Sequence, residues 1–341
     1  MINSNLFIFL MSLYVLSLVG TIIYKKFAIK NSILANINYR TSHEEPTPRG
    51  GGLVFSIVFT LSIFFLYFQQ YIGKDLMLVF AIGGLLASVI GYIDDVFSLS
   101  AINKFILQCL LVLWVIIIFN NSMEEPPVWI SSFQYAFLTM FFLVWLINAY
   151  NFIDGIDGMA ISAAVLILST LLCTILFSNN GNNPTELLLI ILALLVSCLG
   201  FFFYNWPKAS IFMGDSGSIF LGYCFGALLV YSTITENITV FTWLVVFGYY
   251  LSDTTVTTLI RLFIVKKWYG THRSHAYQNL ARVLKSHSIV TNGVIIYHLL
   301  WLLPLAISTT LMPEYKFFAV LLAFLPSIVW VLRFGPLFSK D

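Results

Sequence analysis

The sequence predicts an all-α, polytopic integral membrane protein with about 11 transmembrane helices. Hydrophobic residues make up 60% of its 341 residues and charged residues only 9%, whereas soluble globular domains are roughly 25% charged. The apolar residues collect in runs of about 20, the length that a helix needs to cross a bilayer core of about 30 Å. Lysine and arginine collect in alternate loops between these runs. Together these observations predict a single membrane-embedded domain over residues 1–341.

The apolar runs follow one another along the chain, and each predicts one span. The first has neither the basic start nor the small-residue cleavage site of a signal peptide, so we expect a retained helix. The eighth begins with polar residues and the ninth carries Asp253, so these two have the least regular hydropathy. The predicted spans lie near residues 5–24, 51–68, 75–93, 103–120, 133–149, 159–178, 186–205, 212–231, 238–264, 291–311 and 314–333.

The distribution of positive charge predicts the orientation of the spans. Lys25, Lys26 and Lys30 follow the first run, which by the positive-inside rule places the N-terminus outside and the C-terminus in the cytoplasm. Loops and helix ends assigned to the cytoplasm hold 15 of the 17 Lys and Arg residues, and the opposite loops hold only Lys74 and Lys316. The net charge of +2 is too small to indicate nucleic-acid binding.

Most of the chemically informative residues fall on the predicted cytoplasmic face. Five of the eight aspartates lie at helix ends there, and gathered carboxylates repel one another unless a cation offsets them. Paired carboxylates hold Mg²⁺ beside phosphates, and Arg, Lys and His residues on the same face can contact phosphate oxygens. The segments are RTSHEEPTPRGGG (40–52), GYIDDVFSLSAINK (91–104), NAYNFIDGIDG (148–158), NWPKASIFMGDSGS (205–218) and KKWYGTHRSHAYQNL (266–280). We therefore expect a site for a metal ion and a polyphosphate.

The segment NAYNFIDGIDG places Asn148, Asn151, Asp154 and Asp157 at steps of three. On a helix this spacing lines one broad face with polar side chains. The alternative is that the two glycines end one helix and start the next, with one aspartate as the N-cap. Capping accounts for one aspartate and leaves the other three polar residues without a role, so the spacing favours a functional site.

Other polar segments have structural alternatives. In FMGDSGS, the glycines near Asp215 suit either an anion at a helix start or a tight turn. The HRSH segment suits either substrate phosphates or anionic lipid headgroups. Asp253 lies within an apolar span, where an ionisable residue indicates function or a buried partner such as Arg261, and His298 is expected to be a hydrogen-bonded interior residue.

The motifs PTPRGGG, DDVFSLS, NAYNFIDGIDG and FMGDSGS, in this order, resemble those of the polyprenyl-phosphate N-acetylhexosamine-1-phosphate transferases, which include the phospho-MurNAc-pentapeptide translocase. The resemblance covers residues 40–280. The last motif departs from the histidine-rich HxHH form, since HRSHAYQ keeps two histidines. This departure, with RTSH before PTPRGGG, looks like the branch that loads lipopolysaccharide sugars and bears on the identity of the donor sugar.

The resemblance implies an active site formed by cytoplasmic loops 25–50, 94–103, 148–158, 205–217 and 265–290. It also implies Mg²⁺, or Mn²⁺ in its place, as the cofactor, with Asp94 and Asp95 orienting or deprotonating a lipid phosphate. A covalent role for one aspartate is left open. The implied catalytic residues are Asp94, Asp95 and Asp154; the metal ligands are Asp215, Asn151 and Asp154; and the substrate-binding residues are His43, Arg49, Asn148, Asn151, Asp157, Phe212, His272, Arg273 and His275.

The implied reaction moves an N-acetylated amino-sugar 1-phosphate from a UDP-sugar onto undecaprenyl phosphate and releases UMP. It would initiate O-antigen or related cell-envelope glycan synthesis at a bacterial inner membrane, with the multi-pass chain surrounded by membrane lipid. The oligomeric state is left open, a homodimer included. An ion-coupled transporter is the alternative, but its polar residues should lie near mid-membrane, where only Asp253 and His298 are expected. A CDP-alcohol phosphatidyltransferase would need DGxxAR, and DGMAIS at 157–162 lacks the arginine.

Overall fold

The structure, a computed structural model, describes residues 4–34, 46–121, 132–178, 184–266 and 273–338. Within these ranges the chain is helical, and its only β-bridge pairs Leu34 with Pro48. Among the described residues, nine helices have the length and composition to cross a membrane. They are α1 Ser4–Lys30, α3 Lys74–Phe97, α4 Ala101–Asn121, α5 Phe133–Phe152, α6 Met159–Phe177, α7 Thr185–Asn205, α8 Asp215–Ile234, α12 His287–Leu311 and α13 Pro313–Phe334.

The other two predicted spans correspond to shorter helices. Helix α2, Gly52–Phe68, has 17 residues. The ninth span is broken at Phe247 into α9, Val240–Val246, and α10, Gly248–Ile260, and a π-helical turn extends α10 to Val265. The all-α, polytopic architecture predicted from hydropathy is confirmed. One short helix outside the predicted spans, α11 Ala276–Leu284, follows α10.

Helix α8 is the centre of the bundle and positions the site. It packs against α2, α3, α4 and α5, and 83% of the residues in its most apolar 18-residue stretch are buried. Its start differs from the predicted span, because Phe212 and Met213 pair with the chain before α2. The backbone N–H groups of Gly51 and Gly52 donate to the carbonyls of Phe212 and Met213 at 2.9 Å each, so α8 begins only at Asp215.

Helix α3 approaches α8 closely at Gly91. A Cβ atom added to Gly91 would lie 2.1 Å from the carbonyl oxygen of Asp215, far inside van der Waals contact. Glycine is therefore required at this crossing. The contact brings the end of α3, which carries Asp94 and Asp95, to the first turn of α8, which carries Asp215.

Candidate active site

Asp95 caps the first turn of α8. Its Oδ1 and Oδ2 accept hydrogen bonds from the backbone N–H groups of Asp215 and Ser216 at 2.9 and 3.0 Å, and its side chain is fully buried. The residue before the helix, Gly214, has a φ of +75° and no side chain to cap the helix itself. A carboxylate at a helix N-terminus satisfies free amides and complements the helix dipole. The anion expected at this helix start is thus the carboxylate of Asp95.

Arg49 connects a carboxylate at the end of α3 with one at the start of α8. Its Nε lies 2.8 Å from Asp95 Oδ1, and its Nη2 donates to Asp215 Oδ1 at 3.2 Å. The strand-like pairing between Pro48 and Phe212, whose N–H donates to the Pro48 carbonyl at 2.8 Å, fixes the backbone beside it. Burial alone would lower the pKa of Arg49, but the neighbouring carboxylates outweigh burial and raise that pKa, so Arg49 stays cationic.

Lys104 is a member of the cluster that sequence reasoning missed. Its Nζ lies 2.5 Å from Asp94 Oδ2 and 2.9 Å from Asp215 Oδ2. Lys104 lies on the first turns of α4, and it is the only basic residue between the DDVFSLS motif and the end of α4. The short loop 98–100 joins α3 to α4, so the two helices must be neighbours. The position of Lys104 could therefore have indicated that it lies near Asp94 and Asp95.

The carboxylates and cations alternate across the cluster. The four ion-pair contacts connect five side chains in the order Asp94, Lys104, Asp215, Arg49 and Asp95. The remaining oxygen of Asp94, Oδ1, accepts a hydrogen bond from the Leu99 N–H at 2.8 Å. Asp94 is thereby held by the loop that connects α3 to α4. The fold brings together four of the five aspartates predicted for the site, namely Asp94, Asp95, Asp215 and Asp154.

Asp154 completes this cluster from the loop between α5 and α6. Its carboxylate interacts electrostatically with Asp215, Arg49 and Asp95 and lies near Gly214. Burial, followed by the charge of Asp215, raises the pKa of Asp154 to about 7, although Arg49 acts in the opposite direction. The four carboxylates outnumber the two cations, so the cluster carries excess negative charge when all of them are ionised.

The raised pKa of Asp154 predicts a pH dependence of stability that Asp154→Asn removes. The unfolded-state value is near 3.9, so this group's contribution is fully present below pH about 4 and is lost as the pH rises through about 7. We expect the apparent Tm of the Asn variant to exceed that of the wild type by an amount that grows between pH 5 and 7 and is constant above pH about 8. The measurement is thermal unfolding in detergent with EDTA.

The control is Asp75→Asn, which removes a carboxylate at the opposite end of α3. A constant Tm difference between the Asp154→Asn variant and the wild type across this pH range would contradict the assignment of the raised pKa.

The expectation that NAYNFIDGIDG forms one continuous polar helix face is wrong. Helix α5 ends at Phe152 and α6 begins at Met159, with Gly158 at φ +72°, so the glycines separate two helices and neither Asp154 nor Asp157 caps with its side chain. Glycine adopts this φ without the strain that a Cβ would cause. The two asparagines remain on α5, and the two aspartates lie in the loop.

The four polar residues of this segment point to different partners. Asn148 donates through Nδ2 to Gln108 Oε1 on α4 at 2.7 Å. Asn151 donates through Nδ2 to Ser218 Oγ at 2.9 Å, one turn beyond Asp215 on α8. Only Asn151 and Asp154 therefore lie against the start of α8.

Asp157 joins its loop to two other segments. Its Oδ2 accepts a hydrogen bond from the Ala209 N–H at 3.1 Å. The Nδ1 of His287, at the start of α12, lies 3.4 Å from this oxygen, and the Thr291 hydroxyl donates to the Asp157 carbonyl at 3.0 Å. Asp157 is buried, with 5% of its surface exposed. Its contacts attach the loop between α5 and α6 to Ala209 on one side and to α12 on the other.

Asp253 positions the last motif from within the membrane helix α10. Its Oδ1 and Oδ2 accept hydrogen bonds from the N–H groups of Ala276 and Tyr277 at 3.0 and 3.4 Å, and His275 Nδ1 lies 3.5 Å from Oδ1. The buried partner of Asp253 is thus the start of α11, and not Arg261, whose Nη1 donates to Ser274 at 3.4 Å.

His275 is buried, and its ring packs against Phe152 and Tyr277 with centroids 5.8 Å away in each case. The Tyr277 hydroxyl donates to the Phe152 carbonyl at 2.5 Å, so α11 is attached to the end of α5. Arg273 is half-buried, and its carbonyl accepts a hydrogen bond from Arg282. The predicted site residues His43 and His272 lie outside the described residues.

No three His, Cys, Asp or Glu side chains form a ready metal cluster in the part of the chain that the structure describes. Asp215 and Asp154 nevertheless supply the hard oxygen donors that Mg²⁺ and Mn²⁺ prefer. The excess negative charge of the cluster also suits a divalent cation. The residues present therefore fit the expected metal, with Asp95 committed to the helix cap.

The chain matches one protein family and several named relatives. The model of the family described as "Glycosyl transferase family 4" matches residues 77–233. The chain is 30% identical over 279 residues to the Bacillus subtilis (strain 168) protein named "Probable undecaprenyl-phosphate N-acetylglucosaminyl 1-phosphate transferase", and the match covers 79% of this chain and 75% of that protein.

Two further relatives match over shorter stretches. A "Phospho-N-acetylmuramoyl-pentapeptide-transferase" of Petrotoga mobilis is 33% identical over 57% of this chain and 63% of its own length. A "Decaprenyl-phosphate N-acetylglucosaminephosphotransferase" of Mycolicibacterium smegmatis is 32% identical over 59% of this chain and 53% of its own length. The chain thus spans less than two thirds of these two relatives.

Proposed function

Because the chain belongs to glycosyl transferase family 4, the polyprenyl-phosphate hexosamine-1-phosphate transferases, we propose that it transfers an N-acetylated amino-sugar 1-phosphate from a UDP-sugar to undecaprenyl phosphate and releases UMP. The product would start a cell-envelope glycan such as the O antigen of lipopolysaccharide. The observation that carries the proposal is the cluster of four carboxylates, Arg49 and Lys104 at one end of the membrane helices. A cluster at this position lies at the boundary between the membrane interior, where a polyprenyl chain dissolves, and the aqueous phase, which holds the nucleotide.

In this reaction, an oxygen of the lipid phosphate attacks the β-phosphorus of the UDP-sugar. The bond between the β-phosphorus and the bridging oxygen breaks, and that oxygen leaves with UMP. A phosphate monoester has a second pKa of about 6 and is largely dianionic at neutral pH, so the attack needs no strong base. Phosphoryl transfer needs mainly positioning and charge neutralisation. Arg49 and Lys104 provide the positive charge, and Asp94 and Asp95 hold these two cations in place.

The proposed metal ligands are Asp215, Asp154 and Asn151, with Mg²⁺ or Mn²⁺ as the ion. When bound, a divalent cation neutralises charge on a diphosphate and orients it. Asp215 lies at the start of α8, Asp154 interacts electrostatically with Asp215, and Asn151 donates to Ser218 one turn into α8, so all three lie at the same helix start. This shared attachment supports the ligand set.

The donor is proposed to lie between the loops on either side of this cluster. Phe212, half-buried beside Pro48, and Asp157 are assigned to the uracil. Arg273 and His275, which the Asp253 cap positions, are assigned to the sugar phosphate together with His43 and His272. The charge bias of the loops supports a site that faces the cytoplasm at the inner membrane.

The ion-coupled transporter gains no support from the described residues near mid-membrane. Asp253 caps α11, and His298 Nε2 lies 3.0 Å from the Thr170 hydroxyl. Both residues therefore have structural partners within the bundle.

The test is UMP release by the purified chain in detergent, with undecaprenyl phosphate, Mg²⁺ and a panel of UDP-N-acetylhexosamines that includes 6-deoxy sugars. We expect release with at least one donor, and we expect it to stop when the lipid is omitted or EDTA is added. The Asp215→Asn variant is the matched control for a contaminating activity. Folded protein that releases no UMP with any donor, or that releases it without the lipid, would contradict the proposal.

A further inference from the structure

An apolar groove of about 390 Å³ is lined by residues of α10, α11, α12 and α13, none of which belongs to the carboxylate cluster. Leu284 and Ile289 on its rim are 44% and 57% exposed. In a chain whose helices cross a bilayer, such a surface faces lipid. The groove is lined by Leu284, Ile289, Gly293, Tyr297, Pro326 and Trp330, among others.

Gly293 is an exposed residue that lines the groove. A Cβ atom added to Gly293 would meet no atom within 4 Å, whereas glycines elsewhere in the bundle, such as Gly91, have neighbours closer than 3 Å. The absence of a side chain at this position therefore does not serve helix packing. It keeps a space between α12 and α13 that a flexible chain can enter.

Two basic residues stand at one end of this space. Lys285 directly follows Leu284, and Arg333 lies three residues beyond Trp330 on α13, on the same side of that helix. Both are exposed, and neither is within ion-pair distance of a carboxylate among the described residues. This end lies on the face that carries the carboxylate cluster. Asn279 of α11 donates to the carbonyls of Phe334 and Gly335 at the end of α13, and Tyr277 of α11 donates to the Phe152 carbonyl at the end of α5, beside the site loop.

We propose that the groove binds an acyl chain of an anionic phospholipid, whose phosphate pairs with Lys285 and Arg333. A zwitterionic lipid would fill the apolar part equally well, but its own ammonium would offset the attraction of the two cations. The combination of an open apolar channel and positive charge at one end of it therefore selects a lipid with net negative charge, from the leaflet on the side of the cluster.

The lipid would contact the two helices that hold the site loop between α5 and α6. Helix α11 is attached to the last residue of α5, where this loop begins, through the hydrogen bond from Tyr277 to Phe152. Helix α12 is attached to it through the bond from Thr291 to the Asp157 carbonyl. A chain in the groove would pack against the outer sides of both helices.

Native mass spectrometry of the full chain, released from detergent with phosphatidylglycerol or phosphatidylethanolamine of identical acyl chains, tests the proposal. We expect the wild type to retain phosphatidylglycerol preferentially, and Lys285→Gln with Arg333→Gln to reduce that preference roughly tenfold. Gly293→Phe should reduce retention of both lipids, because the ring fills the groove. The matched controls are Lys25→Gln with Lys26→Gln, at the end of α1, and Ile296→Phe, at an exposed position of α12 that does not line the groove.

Equal retention of the two lipids by the wild type, or retention unchanged in Gly293→Phe, would overturn the proposal. Displacement of phosphatidylglycerol by equimolar undecaprenyl phosphate would assign the groove to the polyprenyl chain instead. A dimer that forms as the lipid is lost, and that Gly293→Phe abolishes, would assign it to a second copy. The measurement does not use the transferase reaction, so its outcome is independent of the proposed function.

Discussion

Asp215→Asn is expected to lower the rate of UMP release by on the order of 10³-fold. Asp215 contacts both cations of the cluster, Arg49 at 3.2 Å and Lys104 at 2.9 Å, and it is a proposed metal ligand. An amide of the same size keeps the helix start but loses the charge that holds both cations and the metal. The measurement is the initial rate at saturating UDP-sugar and lipid over a range of Mg²⁺ concentrations.

Glu186→Gln is the matched control for this variant. Glu186 is also a hydrogen-bonded carboxylate on a membrane helix, accepting from Tyr231 at 2.7 Å and from the Gly73 N–H at 3.0 Å, but it lies at the opposite end of the bundle. The Glu186→Gln variant should retain most of the wild-type rate of UMP release. An Asp215→Asn variant with near wild-type activity would remove Asp215 from the metal site.

Gly91→Val is expected to destabilise the chain by about 3 kcal/mol and to abolish activity. A Cβ at Gly91 would lie 2.1 Å from the Asp215 carbonyl oxygen and 2.6 Å from Ser216 Cα, so α3 must move away from α8. That movement would withdraw Asp95, one turn further along α3, from the two amides that it caps. The measurement is the apparent Tm in detergent together with the rate of UMP release.

Gly293→Val serves as the control for Gly91→Val, because a Cβ at Gly293 meets no atom within 4 Å. Its apparent Tm should match that of the wild type. If the two valine variants were equally stable, the close crossing of α3 and α8 would not be what positions the cluster.

The helices could be predicted from sequence because a chain in lipid must satisfy its backbone hydrogen bonds internally. An apolar run of about 20 residues then leaves little choice of structure. The predictions failed where tertiary contacts decide the backbone. Phe212 and Met213 pair with the chain at the start of α2 instead of starting α8, and the ninth span breaks at Phe247. Hydropathy is least regular in these two spans, but it does not show where the eighth helix begins or where the ninth breaks.

The types of residue in the site could be predicted, but their pairing could not. Clustered aspartates on one face indicated the carboxylate site, and Asp94, Asp95, Asp154 and Asp215 do converge. Which cations meet them depends on how α3, α4 and α8 pack, so Lys104 was missed. A spacing of three along the chain also could not show that Asn148 points to Gln108. Local sequence does not determine such partners.

The most direct test of the proposed reaction follows the β-phosphate. Purified chain, undecaprenyl phosphate and Mg²⁺ are incubated with a UDP-sugar that carries ³²P at the β-position, and the lipid and nucleotide fractions are separated. If the carboxylate cluster transfers a sugar 1-phosphate, the label will move into the lipid fraction, unlabelled UMP will accumulate in equal amount, and Asp215→Asn will stop both. Label that stays with the nucleotide as UDP while sugar enters the lipid would contradict the account.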